Sequence, residues 1–554
     1  MSDSRFKSAS LSQQTYYLDN AKSVWRWVLN HHSDLLTDSE VATLEGIFNL
    51  APDAQALLTR LIMRRGELFD SERLHYPEIA DISAAITQLG TQHYITLDPL
   101  IGVASLCHKA TKEQLAQVIQ HQDLAPLNKS SAKALLRQHL EQTFPSDMCK
   151  SFSQWGMPGT WVELQQPELF ARIQLMFFGN LHQDWSEFIV TELGHIQYET
   201  VELTPQSRAF QSRQEIDTYL QLEVLRQALD NGAYTDKQHT ILLHTPFENP
   251  WLEKRRQRLC FLWAQQLEKQ GEPDSAMQYY RCTLGNHANV RYLRLLERSA
   301  TPQDVVAQAH QLLEKTSHQE TYTLLQRVLH RAQKKLGQSI AKTTAFIPKV
   351  RQLTLVKDTQ SVERAVADYL QQQSPRAPVY YVENLLLPAL WALLYWEVIY
   401  APVPGAFFHP FQSSPKDLYS DQFFSRRQAP LMQVQQALED GTYRDLIQQR
   451  FAEKYGISCR FIYWPALTQE LLGQALTCIS VDALSAIFDY LMQDLKHHKK
   501  GLPDLIRFDP SAQNFELIEV KAPNDRLQEQ QTLWLQHFAQ HDIDAWVAKV
   551  TWQD

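Results

Sequence analysis

Residues 501–527 read GLPDLIRFDPSAQNFELIEVKAPNDRL, two short apolar runs that each keep acidic residues. DPSAQN, residues 509–514, supplies turn formers between them, so the segment is predicted to be a β-hairpin. In a strand, side chains two apart share a face. Phe515, Leu517, Glu519 and Lys521 therefore point one way, and Glu516, Ile518 and Val520 the other. Apolar residues on both faces put the second run inside a sheet. Glu519 and Lys521 then emerge side by side at one end of a central strand, with Asp504 at the start of its neighbour. An isolated buried carboxylate is costly and needs a cation or a metal beside it. Two carboxylates and a lysine at a sheet edge suit metal-assisted hydrolysis of a phosphodiester, with hard Mg²⁺ or Mn²⁺ held on carboxylate oxygens. A satisfied salt bridge accounts for the same residues without catalysis.

The rest of the chain bounds this reading. At 554 residues it should divide into three or four domains, and 17 glycines among them favour helices over most of its length. The N-terminal segment MSDSRFKSASLSQQTYY has no apolar signal region. Leu385–Trp396, LLLPALWALLYW, is shorter than the roughly 20 residues a membrane span requires and is predicted to be a buried helix. The six cysteines are scattered without a C-x-x-C pair, against a disulfide framework or a cysteine zinc site. A cytosolic protein without a membrane partner is expected. The net charge of −9 lacks the basic footprint of a nucleic-acid binder, but local clusters stand out: RLIMRR, EKRRQR, SRR with Arg426 and Arg427, and KHHKK with Lys496, Lys499 and Lys500.

Residues 1–75 read as a helical region. Residues 76–145 read as a winged-helix and SAP-like DNA-binding region, whose helical hairpin around Lys129 would meet phosphate. Residues 146–370 are helical and contain one tetratricopeptide-like unit, Leu262–Leu284, with Ala264, Gly271, Ala276 and Tyr280 at the close-packing places. QQQSPRAP, Gln371–Pro378, is expected to link into a last domain over residues 376–554. Leu527, Gln531, Trp534, Leu535 and Phe538 share one helix face, leaving Gln531 polar on an apolar stripe. Glu383 heads the stripe Leu386, Leu387, Leu390, Leu394, although Pro388 should kink that helix or begin it.

Pro503-Asp504 followed by Glu519-Val520-Lys521 resembles the PD-(D/E)xK nuclease superfamily. KHHKKGLPDLIRF…FELIEVKAPNDRLQEQQTLWL is similar to its VRR-NUC domain, and ALWALLYWEVIY with FQSSPKDLYSDQFFSRR resembles the Fanconi-associated nuclease family in that group. The resemblance implies helical N-terminal modules and a C-terminal α/β nuclease domain with a mixed sheet. It implies a metal-dependent, structure-selective DNA nuclease of phosphodiesterase I type, cutting near 5′ flaps, degrading 5′ to 3′ and acting in crosslink repair on branched or flapped duplexes. Glu383, Asp504, Glu519 and the Val520 carbonyl would hold one or two ions, and Lys521 would assist the water. Gln412 and Gln531 would support them, and Lys496 would lie near a phosphate. The lack of a cysteine before Cys107 matches the shorter bacterial-type form, expected in the cytoplasm on the nucleoid; a homodimer is compatible with the sequence. The rival readings are a Holliday-junction resolvase or restriction-type endonuclease, and a non-catalytic DNA-binding repeat scaffold.

Overall fold

The computed structural model describes residues 15–125, 132–183, 196–232, 245–283, 285–316, 319–338, 346–356 and 360–553. The chain divides into two units, one of residues 1–195 with 212–217, and a second of residues 196–211 with 218–554.

In the first unit the helices Tyr16–His32, Asp38–Ile47, Pro52–Met63 and Ile82–Thr91 precede and surround short strands. These are β1 (Leu68–Asp70), β2 (Ile95–Leu97), β3 (Leu100–Gly102), β4 (Cys149–Ser151) and β5 (Trp161–Leu164). They form an antiparallel sheet in the order β1-β5-β2 and a two-stranded ribbon of β3 with β4. The expected boundary at residue 75 falls inside this sheet, because Phe69 of β1 pairs with Val162 of β5. A pairing between strands so far apart along the chain leaves no local trace in the sequence. Where the SAP-like hairpin was expected, the helices Lys112–His121 and Lys133–Thr143 pack through Leu115, Val118, Leu136 and Leu140. Lys129 lies outside the described residues.

The second unit opens with helices. Pro250–Gln270 and Pro273–Arg281 form the expected tetratricopeptide-like hairpin, with Ala264, Ala276 and Tyr280 buried. Gly271 terminates the first helix at φ +82°, a left-handed conformation in which glycine meets no steric cost.

The nuclease-like sheet contains β6 (Val350–Val356), β7 (Val379–Tyr381), β8 (Leu505–Asp509), β9 (Asn514–Lys521) and β10 (Ala545–Gln553), in the order β6-β10-β9-β8-β7. β8 and β9 are the predicted hairpin and β9 is the central strand. β10 runs parallel to both β9 and β6, so the sheet is mixed. Each face of β9 is covered, as its two-sided apolar pattern requires. Ile518 and Val520 pack with Val366 and Leu370 of the helix Val362–Gln373. Phe515 and Leu517 share a core with Trp534, Leu535 and Phe538 of the helix Glu529–Gln540.

β6 moves the start of this domain. It was expected at residue 376, yet Val350–Val356 already belongs to the sheet and QQQSPRAP lies within the domain. Leu385–Trp396 is buried as predicted, the helix running Leu386–Leu394 with Pro388 in its first turn, where a missing N–H is harmless. Among the described residues no single helix is long and apolar enough to cross a membrane.

Candidate active site

Asp504 immediately precedes β8, and Glu519 lies two residues from the end of β9. Both are buried, with 8% and 1% of their surface exposed. The Val520 N–H donates to the Asp504 carboxylate at 2.7 Å, so the peptide groups of Val520 face the β8 side. The register Leu505↔Ile518, continued by two residues, sets Pro503 opposite Val520. Proline has no N–H to donate. The Val520 carbonyl is thereby left without a ladder partner from β8, beside the Asp504 carboxylate. In that register the proline of the Pro-Asp pair cannot donate to the Val520 carbonyl.

Glu519 sits among donors. Its Oε1 accepts from Lys521 Nζ at 2.7 Å and from Gln531 Nε2 at 2.6 Å. Gln531 in turn accepts the backbone N–H of Gln528 at 2.9 Å, which fixes its carboxamide at the start of the Glu529–Gln540 helix. Even so, both carboxyls are held well above the usual carboxylate range. Burial pushes Asp504 up to about 6, and the nearby Glu383 charge adds to it against the Val520 N–H and Lys521. Burial and the Asp504 charge push Glu519 up to about 7, against the bond and charge of Lys521. The single ammonium does not neutralise the cluster.

That deficit of positive charge is the test of fit for a metal. Asp504, Glu519 and the Val520 carbonyl offer the oxygen donors a hard divalent ion takes. Among the described residues no three His, Cys, Asp or Glu side chains make a metal centre by themselves, so backbone oxygen is needed in this set. Glu383 lies in the turn before the Leu386–Leu394 helix, where Asn384 takes a φ of +52°. Its carboxylate accepts from the Tyr381 hydroxyl and from Asn384 Nδ2. Its charge reaches both Asp504 and Glu519, so it belongs to the same electrostatic cluster. Glu397, the acidic residue at the far end of that apolar run, is exposed and paired with Arg450 at 2.6 Å.

Other expected residues fall elsewhere. Gln412 is buried in its own loop: Oε1 accepts from Phe408 N and His409 N, and Nε2 donates to Ala406 O and Ser414 O. Its carboxamide shapes that loop and makes no bond to the carboxylates. Arg427, expected on DNA, has a fully buried side chain gripping Asp417 through two bonds of 2.8 Å. Arg426 is half-buried and bound to the same Asp417 and to Pro404 O. This doublet is engaged in a structural ion pair with Asp417, nine and ten residues before it in the chain. His498, within the KHHKK run, is buried and stacks on Tyr490 at 4.1 Å. Lys499 and Lys500 line a cavity beside Gln531, whereas Lys496 lines a separate one with Tyr419.

Two residues to which sequence reasoning gave no role at the site tie this loop to it. Gly501 has φ +79°, and a Cβ there would lie 2.9 Å from Gln530 Cβ and 3.1 Å from its carbonyl carbon. Trp534 Nε1 donates to His498 O at 3.0 Å and Lys500 O at 3.2 Å, pinning the basic loop to the helix that carries Gln531. The glycine before the Leu-Pro-Asp run was the available signal.

Comparison with known proteins agrees with this geometry. The family models for the VRR-NUC domain and for the "FAN1, HTH domain" match residues 438–552 and 15–96. A Pseudomonas aeruginosa protein, "Fanconi-associated nuclease 1 homolog", is 38% identical over 98% of this chain and 97% of its own length. An Arabidopsis thaliana homolog of that name is 24% identical, and the chain spans 65% of its length. The crystal structure of paFAN1 bound to 2-nt 5′ flap DNA with a gap superposes with a TM-score of 0.75 at 38% identity, covering 99% of this chain and 100% of that one. With this similarity along its length and the carboxylate pair beneath it, the chain belongs to the Fanconi-associated nuclease family.

Proposed function

We propose that this nuclease cleaves phosphodiester bonds in DNA carrying a 5′ flap, and that Asp504, Glu519 and the Val520 carbonyl hold the divalent cation it uses, Mg²⁺ or Mn²⁺, with Glu383 completing the acidic cluster. The observation that carries the assignment is the pair of buried carboxylates, raised by burial and by neighbouring carboxylate charge, Glu383 at Asp504 and Asp504 at Glu519, although Lys521 stands 2.7 Å from one of them. A cation held there supplies Lewis acidity toward water and charge neutralisation at the phosphate.

The chain's own groups do the rest. The Val520 N–H orients one Asp504 oxygen, leaving the other to face the site. Gln531 and Lys521 fix the Glu519 carboxylate, and the Lys521 ammonium is placed to stabilise charge developing on non-bridging phosphate oxygens. Lys499 and Lys500 give the approaching backbone a positive wall. The flap substrate is supported by the DNA in the paFAN1 structures, and a role in DNA repair by the family name.

The test is a panel of end-labelled flap, fork, nicked and four-way-junction DNAs digested with each metal in turn. Asp504→Ala should abolish flap cleavage while retaining binding. Cleavage by that variant at the wild-type rate in Mg²⁺ would overturn the site, and preference for four-way junctions over flaps would favour a resolvase.

A further inference from the structure

Beside the carboxylates the second unit opens into a cavity of about 480 Å³, of the size that receives small ligands. Gln531 and Glu383 line its catalytic side, and Arg460, Lys499 and Lys500 contribute positive charge to it. Among the described residues none of these three cations is paired with a carboxylate. Arg460 and Lys499 each stand over the ring of Tyr419, at 5.6 Å, and Lys499 Nζ also donates to its hydroxyl at 3.2 Å. Tyr419 thereby gathers two like charges that repel one another, an arrangement that an anion would relieve.

The same cavity has an aromatic wall. Tyr463 lines it and keeps 61% of its surface exposed. Its backbone is not loose: Phe461 and Ile462 are buried just before it, and the Ile462 N–H donates to Cys459 O at 3.2 Å. Gln530, also in the lining, offers a neutral carboxamide that makes no hydrogen bond within the described residues. An exposed aromatic alone is ordinary. An exposed aromatic ring on a held backbone, an amide without a hydrogen bond among the described residues and three cations in one lining complement the three parts of a nucleotide: base face, base edge and phosphate.

We infer that this cavity receives one unpaired nucleotide of the DNA next to the cut, its base stacked on Tyr463, its edge meeting Gln530 and its internucleotide phosphate on Arg460 and Lys499. The inference rests on the flap-nuclease reading above and adds a site that grips a base regardless of its identity. Stacking on an aromatic accepts every base, so the subsite selects for an unpaired nucleotide rather than for sequence.

The experiment is an abasic scan. Flap DNAs lacking the base at one position each, across the nucleotides flanking the cut, are titrated against the wild-type chain, Tyr463→Ala and Tyr463→Phe, reading single-turnover cleavage and fluorescence anisotropy. Wild type and Tyr463→Phe should show one position where loss of the base weakens binding roughly ten-fold. Tyr463→Ala should bind the intact flap as weakly as wild type binds the abasic one, and show no further loss. An equal abasic penalty in wild type and Tyr463→Ala, or no sensitive position in wild type, overturns the inference. Weakening on removal of the flap's terminal 5′ phosphate, without an abasic effect, also overturns it and assigns the cations to a chain end. If the wild-type chain binds but cuts no substrate, the nuclease reading fails, and anisotropy still decides the subsite.

Discussion

Replacing Glu519 with Gln separates the cost of the buried charge from its use. In the folded chain Glu519 keeps its proton up to about pH 7, against an ordinary 4.5, because of burial and the Asp504 charge. Between those values the folded state holds more protons than the unfolded one, so metal-free stability must fall as pH rises from about 4.5 to about 7. At about 1.4 kcal/mol per tenfold, the rise corresponds to about 3 kcal/mol, fully in force above pH 7. Gln keeps an oxygen for Gln531 and Lys521 but carries no charge. In EDTA at pH 8, Glu519→Gln should therefore be more stable than wild type by up to about 3 kcal/mol; near pH 4.5 the two should coincide. The buried Trp534 and Trp546 give a fluorescence probe of this unit in denaturant titrations at each pH. Mn²⁺ should stabilise wild type, more strongly at pH 8 than at pH 6 because binding needs deprotonated carboxylates, and leave the inactive variant nearly unchanged. Parallel pH profiles of the two proteins in EDTA, or a variant less stable than wild type at pH 8, would refute the electrostatic account.

Four further outcomes follow from the geometry. Pro503→Ala supplies an N–H opposite the Val520 carbonyl, and should raise the Mg²⁺ concentration for half-maximal cleavage several-fold; an unchanged metal titration would reject that carbonyl as a ligand. Gly501→Ala forces a Cβ against Gln530 at positive φ, and should lower thermal stability by about 1–3 kcal/mol while reducing cleavage, both read on the same preparation. Arg427→Ala should cost about 3–5 kcal/mol in chemical denaturation by stranding Asp417, yet leave the salt dependence of DNA binding untouched in the folded fraction. Lys500→Ala should do the reverse, keeping stability and lowering the log–log salt slope of binding by about 1.

How much could be read from the chain depended on the range over which each residue is determined. The faces of β9, the place of Asp504 and the inward turn of Gln531 follow from strand and helix periodicity within one short C-terminal stretch, and all three hold in the structure. β6 did not declare itself, because VRQLTLV becomes a strand only through its pairing with β10, far along the chain. The same is true of β1 and β5 in the first unit. Arg427, expected on DNA, Gln412, expected beside the carboxylates, and His498 of the basic run take their places for a different reason: the partner of a polar residue is not written next to it in the chain. Asp417, the Tyr490 ring and the loop amides at 408 and 409 supply those partners only in three dimensions. Gly501 and Pro503 were visible throughout, but their meaning lay in backbone approaches that one-dimensional pattern does not carry.

The placement of β10 between β9 and β6 has a consequence for how the protein comes into being. The carboxylate hairpin is complete at Lys521, but a lone hairpin is marginal in water, and its inner edge stays open until Ala545–Gln553 arrives. A ribosome must therefore release that final strand before the catalytic residues gain a rigid bed, so nascent or prematurely terminated chains should be unable to attack a genome.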